Sequence, residues 1–205
     1  MRNDQKALAD IYSRIITESN GNKVIRGDVN LSRMYLKELP DWLADVDEVT
    51  GDFHCYINQL KTLKSSPKKV KGAFDCSQNK LVSLEGAPTT VGGSFYCSFN
   101  RLTTLVGGPT TTTYNSYYCT NNRLISLQGV PRKVGSFNCA YNNLKTLDGA
   151  PYEVGLSFNC SENNLVSLVG APKKVFFGFS CENNAVQFTD DDVRAVSNVG
   201  RDIWV

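Results

Sequence analysis

The sequence is poor in the residues from which most catalytic and metal centres are built. Its 205 residues hold a single histidine, His54, and two methionines. A catalytic triad needs a histidine between nucleophile and carboxylate, and metal sites commonly use several imidazoles, so one histidine argues against both. Long apolar runs are also missing, so no transmembrane helix and no membrane partner are expected. The opening Met1-Arg-Asn-Asp-Gln-Lys lacks the apolar core of a secretory signal, which predicts a cytoplasmic protein. The net charge is only +2. A chain of this length can bury enough core to fold without disulfides or a structural metal.

Against that scarcity stand seven cysteines. Their odd number and the missing secretory signal disfavour a disulfide framework. Spacing accounts for them instead. Cys55, Cys76, Cys97, Cys119, Cys139, Cys160 and Cys181 are separated by 21, 21, 22, 20, 21 and 21 residues, which defines a repeat array. An aromatic stands two residues before each cysteine: Phe53, Phe74, Phe95, Tyr117, Phe137, Phe158 and Phe179. An asparagine stands three after it: Asn58, Asn79, Asn100, Asn122, Asn142, Asn163 and Asn184. Leucines follow from Leu60 and Leu63 to Leu165 and Leu168, and prolines from Pro67 to Pro172.

The unit V-G-x-x-F-x-C-x-x-N-x-L-x-x-L-x-G-x-P resembles the leucine-rich repeat. Val134-Gly-Ser-Phe-Asn-Cys-Ala-Tyr-Asn-Asn-Leu144 matches L-x-x-L-x-L-x-x-N-x-L without an insertion, whereas most copies carry one extra residue after the valine. The resemblance implies an α/β repeat solenoid with parallel strands on the concave face, a mostly irregular convex side and short capping helices at both ends. Runs such as Phe-x-Cys-Ser-x-Asn-x-Leu are also similar to the short Cys/Asn-ladder repeat proteins of large tailed bacteriophages. That likeness implies a phage source and a host cytoplasm, with no assigned activity.

The residue types fit such a coil. Phe-x-Cys alternates, so both side chains face one side of a short strand, stacked about 4.8 Å from the next. Cysteine then serves as a small apolar core residue. The asparagine amide satisfies buried backbone groups where the chain leaves the strand, and the leucines fill the core from the other side. Three segments follow. Residues 1–28 form a helical cap, with an apolar stripe over 4–19 at Ala7, Leu8, Ile11, Tyr12, Ile15 and Ile16. Residues 29–188 form the solenoid, whose degenerate first repeat (29–50) has Met34 in place of asparagine. Residues 189–205 form a second cap, with Thr189 starting a short helix over 190–197 and Val193, Val196 and Trp204 covering the last repeat.

Nothing in this pattern reads as an active centre. No cysteine is set apart from its siblings, and His54, adjacent to Cys55, points to the opposite face of a strand. Close metal-ligand spacing is missing, and Asp190-Asp191-Asp192 reads as a helix start. The expectation is a non-enzymatic protein with no metal and no cofactor.

The candidate site is the surface between the inward ladders. Expected partner-binding residues are His54, Tyr56, Asp75, Tyr96, Phe99, Tyr114, Tyr118 and Tyr141, because exposed aromatics on a rigid sheet make good protein anchors. Tyr114 falls where the period breaks, in Thr110-Thr-Thr-Thr-Tyr-Asn-Ser-Tyr-Tyr-Cys119. Lys80, Arg101 and Arg123 follow the asparagine in three successive repeats and are candidate phosphate ligands. The favoured expectation is a module binding a host protein, with inhibition of host defence as one outcome. The alternatives are nucleic-acid binding along the basic rim and a structural or assembly role in a virion.

Overall fold

The structure, a computed structural model, describes residues 2–110 and 115–205, with side chains from Asp4 onward. The chain winds as a β-solenoid with one turn per repeat. Nine parallel two-residue strands stack in chain order into one sheet: Val29–Asn30, Phe53–His54, Phe74–Asp75, Phe95–Tyr96, Tyr117–Tyr118, Phe137–Asn138, Phe158–Asn159, Phe179–Ser180 and Ile203–Trp204. Register is like on like, with Phe53 against Phe74, Phe74 against Phe95, and Phe95 against Tyr117. The rings pile up inside with centroids 5.0–5.9 Å apart. The cysteines form a second buried column, all free thiols. The leucines close the core from the opposite side.

The return side is not irregular. Among the described residues a second short strand occurs in most turns, so the fold is mostly β rather than α/β. Glu48–Val49, Lys69–Val70 and Thr90–Val91 pair in parallel, as do Lys133–Val134, Glu153–Val154, Lys174–Val175 and Asn198–Val199. The two groups lie on either side of residues 111–114. The valine of each strand is buried. A β-branched residue suits that pleat; its neighbour is exposed at Lys69, Thr90, Lys133, Lys174 and Asn198, half-buried at Glu48 and buried at Glu153. The extra residue after valine in most repeats falls in the corner between the two strands.

The asparagines bond across turns as their spacing implies. Asn142 Nδ2 donates to the carbonyls of Cys119 (3.1 Å) and Cys139 (3.0 Å), while its Oδ1 accepts from the Leu124 amide (2.9 Å). The same trio recurs at Asn79, Asn100, Asn122 and Asn163. In the degenerate first turn, Asn58 Oδ1 accepts from the amides of Met34 and Leu36.

Both ends mix helix with ladder. Helix α1 (Arg2–Ser13) is shorter than the 4–19 stripe. Ile15–Thr17 is instead a strand, antiparallel to Lys23–Ile25, so Ile15 and Ile16 leave the helix for the edge of the second sheet. Ile-Ile-Thr is a β-branched run that favours this pairing. Gly21, at φ 87, turns the hairpin. At the other end helix α2 (Asp190–Val196) begins at a capping box in which Thr189 Oγ1 accepts from the Asp192 amide and Asp192 Oδ2 accepts from the Thr189 amide. The Thr189 hydroxyl also donates to Asp192 Oδ2 at 2.7 Å, and this bond, with that from the Thr189 amide, holds the Asp192 carboxyl below its ordinary pKa. Val193 is buried as expected, but Trp204 is not a core residue. Register puts Ile203 opposite Phe179, so the next side chain, Trp204, turns outward over Gly178.

Candidate functional site

The outward face of the nine-stranded sheet carries the residue between each Phe and Cys. His54, Asp75, Tyr96, Tyr118, Asn138, Asn159 and Ser180 stand there in register, all half-buried. The strands hold them in place, since any shift of one residue would drive a Phe and a Cys into water. Tyr96 and Tyr118 stack with centroids 5.2 Å apart and planes 2° from parallel. Asp75 Oδ1 accepts from the Ser77 amide at 2.9 Å, which fixes its carboxylate beside the strand. His54 meets the ring edge of Tyr56 at 6.0 Å, and its Nε2 lies 3.8 Å from Asp52 Oδ2. The structure thus gathers His54, Tyr56, Asp75, Tyr96 and Tyr118 along one strip.

Phe99 and Tyr141 belong to a neighbouring feature rather than to the sheet face. They sit past the strand, at the corner where the chain turns inward to the asparagine. That corner requires a left-handed residue in every turn: Ile57, Gln78, Phe99, Asn121, Tyr141, Glu162 and Asn183 have φ of 52–57°. Left-handed backbone disfavours residues with a Cβ, and bulky ones most, yet this column holds Ile, Phe and Tyr. The two rings project into solvent, Phe99 at 53% and Tyr141 at 55% exposure, while Ile57 is half-buried. Tyr114 lies outside the described residues.

Lys80, Arg101 and Arg123 do form a row. Each backbone amide donates to the first leucine of the preceding turn, so the three positions repeat with the solenoid step. Lys80 Nζ donates to Gln59 Oε1 at 3.1 Å; Arg101 and Arg123 are exposed. The paired basics of the return strands behave differently. Lys68 bridges Asp47 at 2.7 Å, Lys133 bridges Glu153 at 3.3 Å, and the Arg132 guanidinium lies 4.5 Å over the Tyr152 ring.

The cysteines are buried and hard to ionise. Burial pushes every thiol above its ordinary pKa, to about 12 at Cys181 near the solenoid's end and beyond that range inside the coil. Sγ–H groups point at backbone oxygens of the next turn, as from Cys139 to Asn159 O at 3.4 Å.

One exposed apolar cluster was not anticipated. Leu156, Phe176, Phe177 and Trp204 are exposed on the last turns, and Arg201 covers the Phe177 ring at 4.2 Å. Its signal was Val175-Phe-Phe-Gly178, where other repeats follow the valine with smaller or polar residues. Neither a protein family nor a curated protein matches the chain. Among the described residues no helix is long and apolar enough to cross a membrane.

Proposed function

We propose that this protein is a non-enzymatic protein-binding module of the leucine-rich repeat type. In this reading it is phage-encoded, works in the host cytoplasm, and occupies a host protein, with a defence component as the target it would inhibit. The observation that carries the reading is the Tyr96–Tyr118 stack on the outward sheet face. Two large rings preordered by strand register lose little freedom on binding, and tyrosines are preferred anchors because each offers apolar area and a hydroxyl. Fixed polar groups at His54 and Asp75 continue the strip on one side, and Asn138 and Asn159 on the other, as a polar rim around the aromatic centre. The buried, hard-to-ionise thiols support the non-enzymatic part of the reading.

The test is paired capture from host extract with the wild type and a Tyr96→Ala/Tyr118→Ala variant. A stoichiometric protein partner held by the wild type and weakened by about 30-fold or more in the variant, with unchanged thermal unfolding, is the expected result. Recovery of the same proteins by both forms, or of none by either, would sink the reading. Detection of the chain at fixed stoichiometry in purified particles would favour the assembly role instead.

A further inference from the structure

We propose that the corner beside the aromatic strip is a second binding site, for single-stranded nucleic acid. Three outward columns meet at this corner: the left-handed residues, the residues after the asparagine, and the residues after the first leucine. Together they hold five cations, Lys61, Lys80, Arg101, Arg123 and Lys145, against one carboxylate, Glu162. That carboxylate already accepts from Asn183 Nδ2 at 2.8 Å. Among the described residues Arg101 and Arg123 make no ion pair, whereas Lys23, Lys68, Lys71 and Lys133 on the return side are all bridged to carboxylates. The corner therefore presents a row of unbridged positive charge with a single, already bonded carboxylate beside it.

Its geometry favours a linear polyanion. Lys80, Arg101 and Arg123 come from consecutive turns, so they step by about 4.8 Å along a straight row. Phe99 stands two residues before Arg101 at the middle of that row, and Tyr141 stands on the next turn beyond Arg123, two turns or about 10 Å from Phe99. Cations following a backbone beside exposed rings are the components of a single-strand platform, in which phosphates meet the charges and bases stack on the rings. Base pairs keep their faces stacked inside a duplex and offer nothing to the rings, so the aromatic pair selects single strands.

The experiment is fluorescence anisotropy of the full chain with labelled oligothymidylate of about 12 nucleotides, within the size range of single-strand sites. With three phosphates neutralised, log K should fall against log salt with a slope of about −2, and Arg101→Gln or Arg123→Gln should each reduce its magnitude by about 0.7. Phe99→Asn or Tyr141→Asn, which suit the left-handed backbone, should weaken binding about fivefold or more while leaving the salt slope in place. Tyr96→Ala/Tyr118→Ala should leave oligonucleotide binding intact, separating this site from the protein-binding strip. Absent binding at about 50 mM salt, equal affinity for a duplex, or equal displacement by polyglutamate would overturn the proposal.

Discussion

Tyr117 is the one tyrosine in a buried column of phenylalanines, and its hydroxyl has no hydrogen-bond partner among the described residues. What makes room for it lies in the preceding turn. Gly108 stands where other repeats carry Ser66, Ala87, Val130, Ala150 or Ala171, and a Cβ placed on it would fall 2.9 Å from Tyr117 Oη. The two departures from the repeat are thus one compensated pair. Gly108→Ala alone should destabilise by about 1–3 kcal/mol through overpacking. The same change in a Tyr117→Phe background should cost less, because the closest crowding atom is gone while Leu84 Cδ1 at 3.0 Å and Leu105 O at 3.1 Å remain. A double-mutant cycle by denaturant unfolding should return a coupling of about 1 kcal/mol or more, and simple additivity would refute the pairing. The left-handed column gives a residue-scale prediction of opposite sign. Gln78, exposed at φ 55, should gain up to about 1 kcal/mol on replacement by Asn, which tolerates that backbone.

At the scale of the element, each asparagine acts as a rivet between turns. Asn142→Ala would leave the Leu124 amide without its partner in a dry interior and take one of two donors from the Cys119 and Cys139 carbonyls, which keep Asn122 Nδ2 and Asn163 Nδ2. At about 1–3 kcal/mol for an orphaned buried group, the loss should be about 2–3 kcal/mol. Asn184, half-buried at the array's end, should cost roughly 1 kcal/mol, since water can replace part of its bonding. Chemical denaturation of the two variants checks the ordering, and equal losses would count against it. These elements show what the sequence could and could not reveal. The Phe-x-Cys strand and the asparagine bonds were legible because they recur at fixed offsets. The second strand was not, because two residues are too short for an alternation to be read. The 15–17 strand reads as helix from sequence because Ile11 and Ile15 satisfy helical spacing as well. The strip His54–Asp75–Tyr96–Tyr118 was legible from strand parity alone. The left-handed corner that carries Phe99 and Tyr141 was not, since local sequence there offers no glycine to announce it.

At the scale of the whole molecule, the cysteine column couples folding to pH. An ordinary thiol in an unfolded chain ionises near pH 8.5, about where the burial of these seven begins to matter. Each folded thiol has a raised pKa, so above that pH the folded state holds protons that the unfolded state has released. Stability must then fall as pH rises, from about 8.5 upward to the folded values, which begin at about 12 for Cys181. Each thiol contributes a slope of about 1.4 kcal/mol per pH unit, so seven acting together give roughly 10 kcal/mol per unit. A domain stable by about 5–15 kcal/mol would lose all of it within about two pH units of the onset. The coil should therefore unfold steeply near pH 10, with thiolate absorbance appearing together with the loss of β-sheet circular dichroism. Thiolate signal near pH 9 in a chain that keeps its sheet spectrum would refute this, because it would place the thiols in contact with water. Below that window the same burial predicts slow labelling of every cysteine, at the rate at which turns open. The residues that set the repeat would thus also set the pH at which it unwinds.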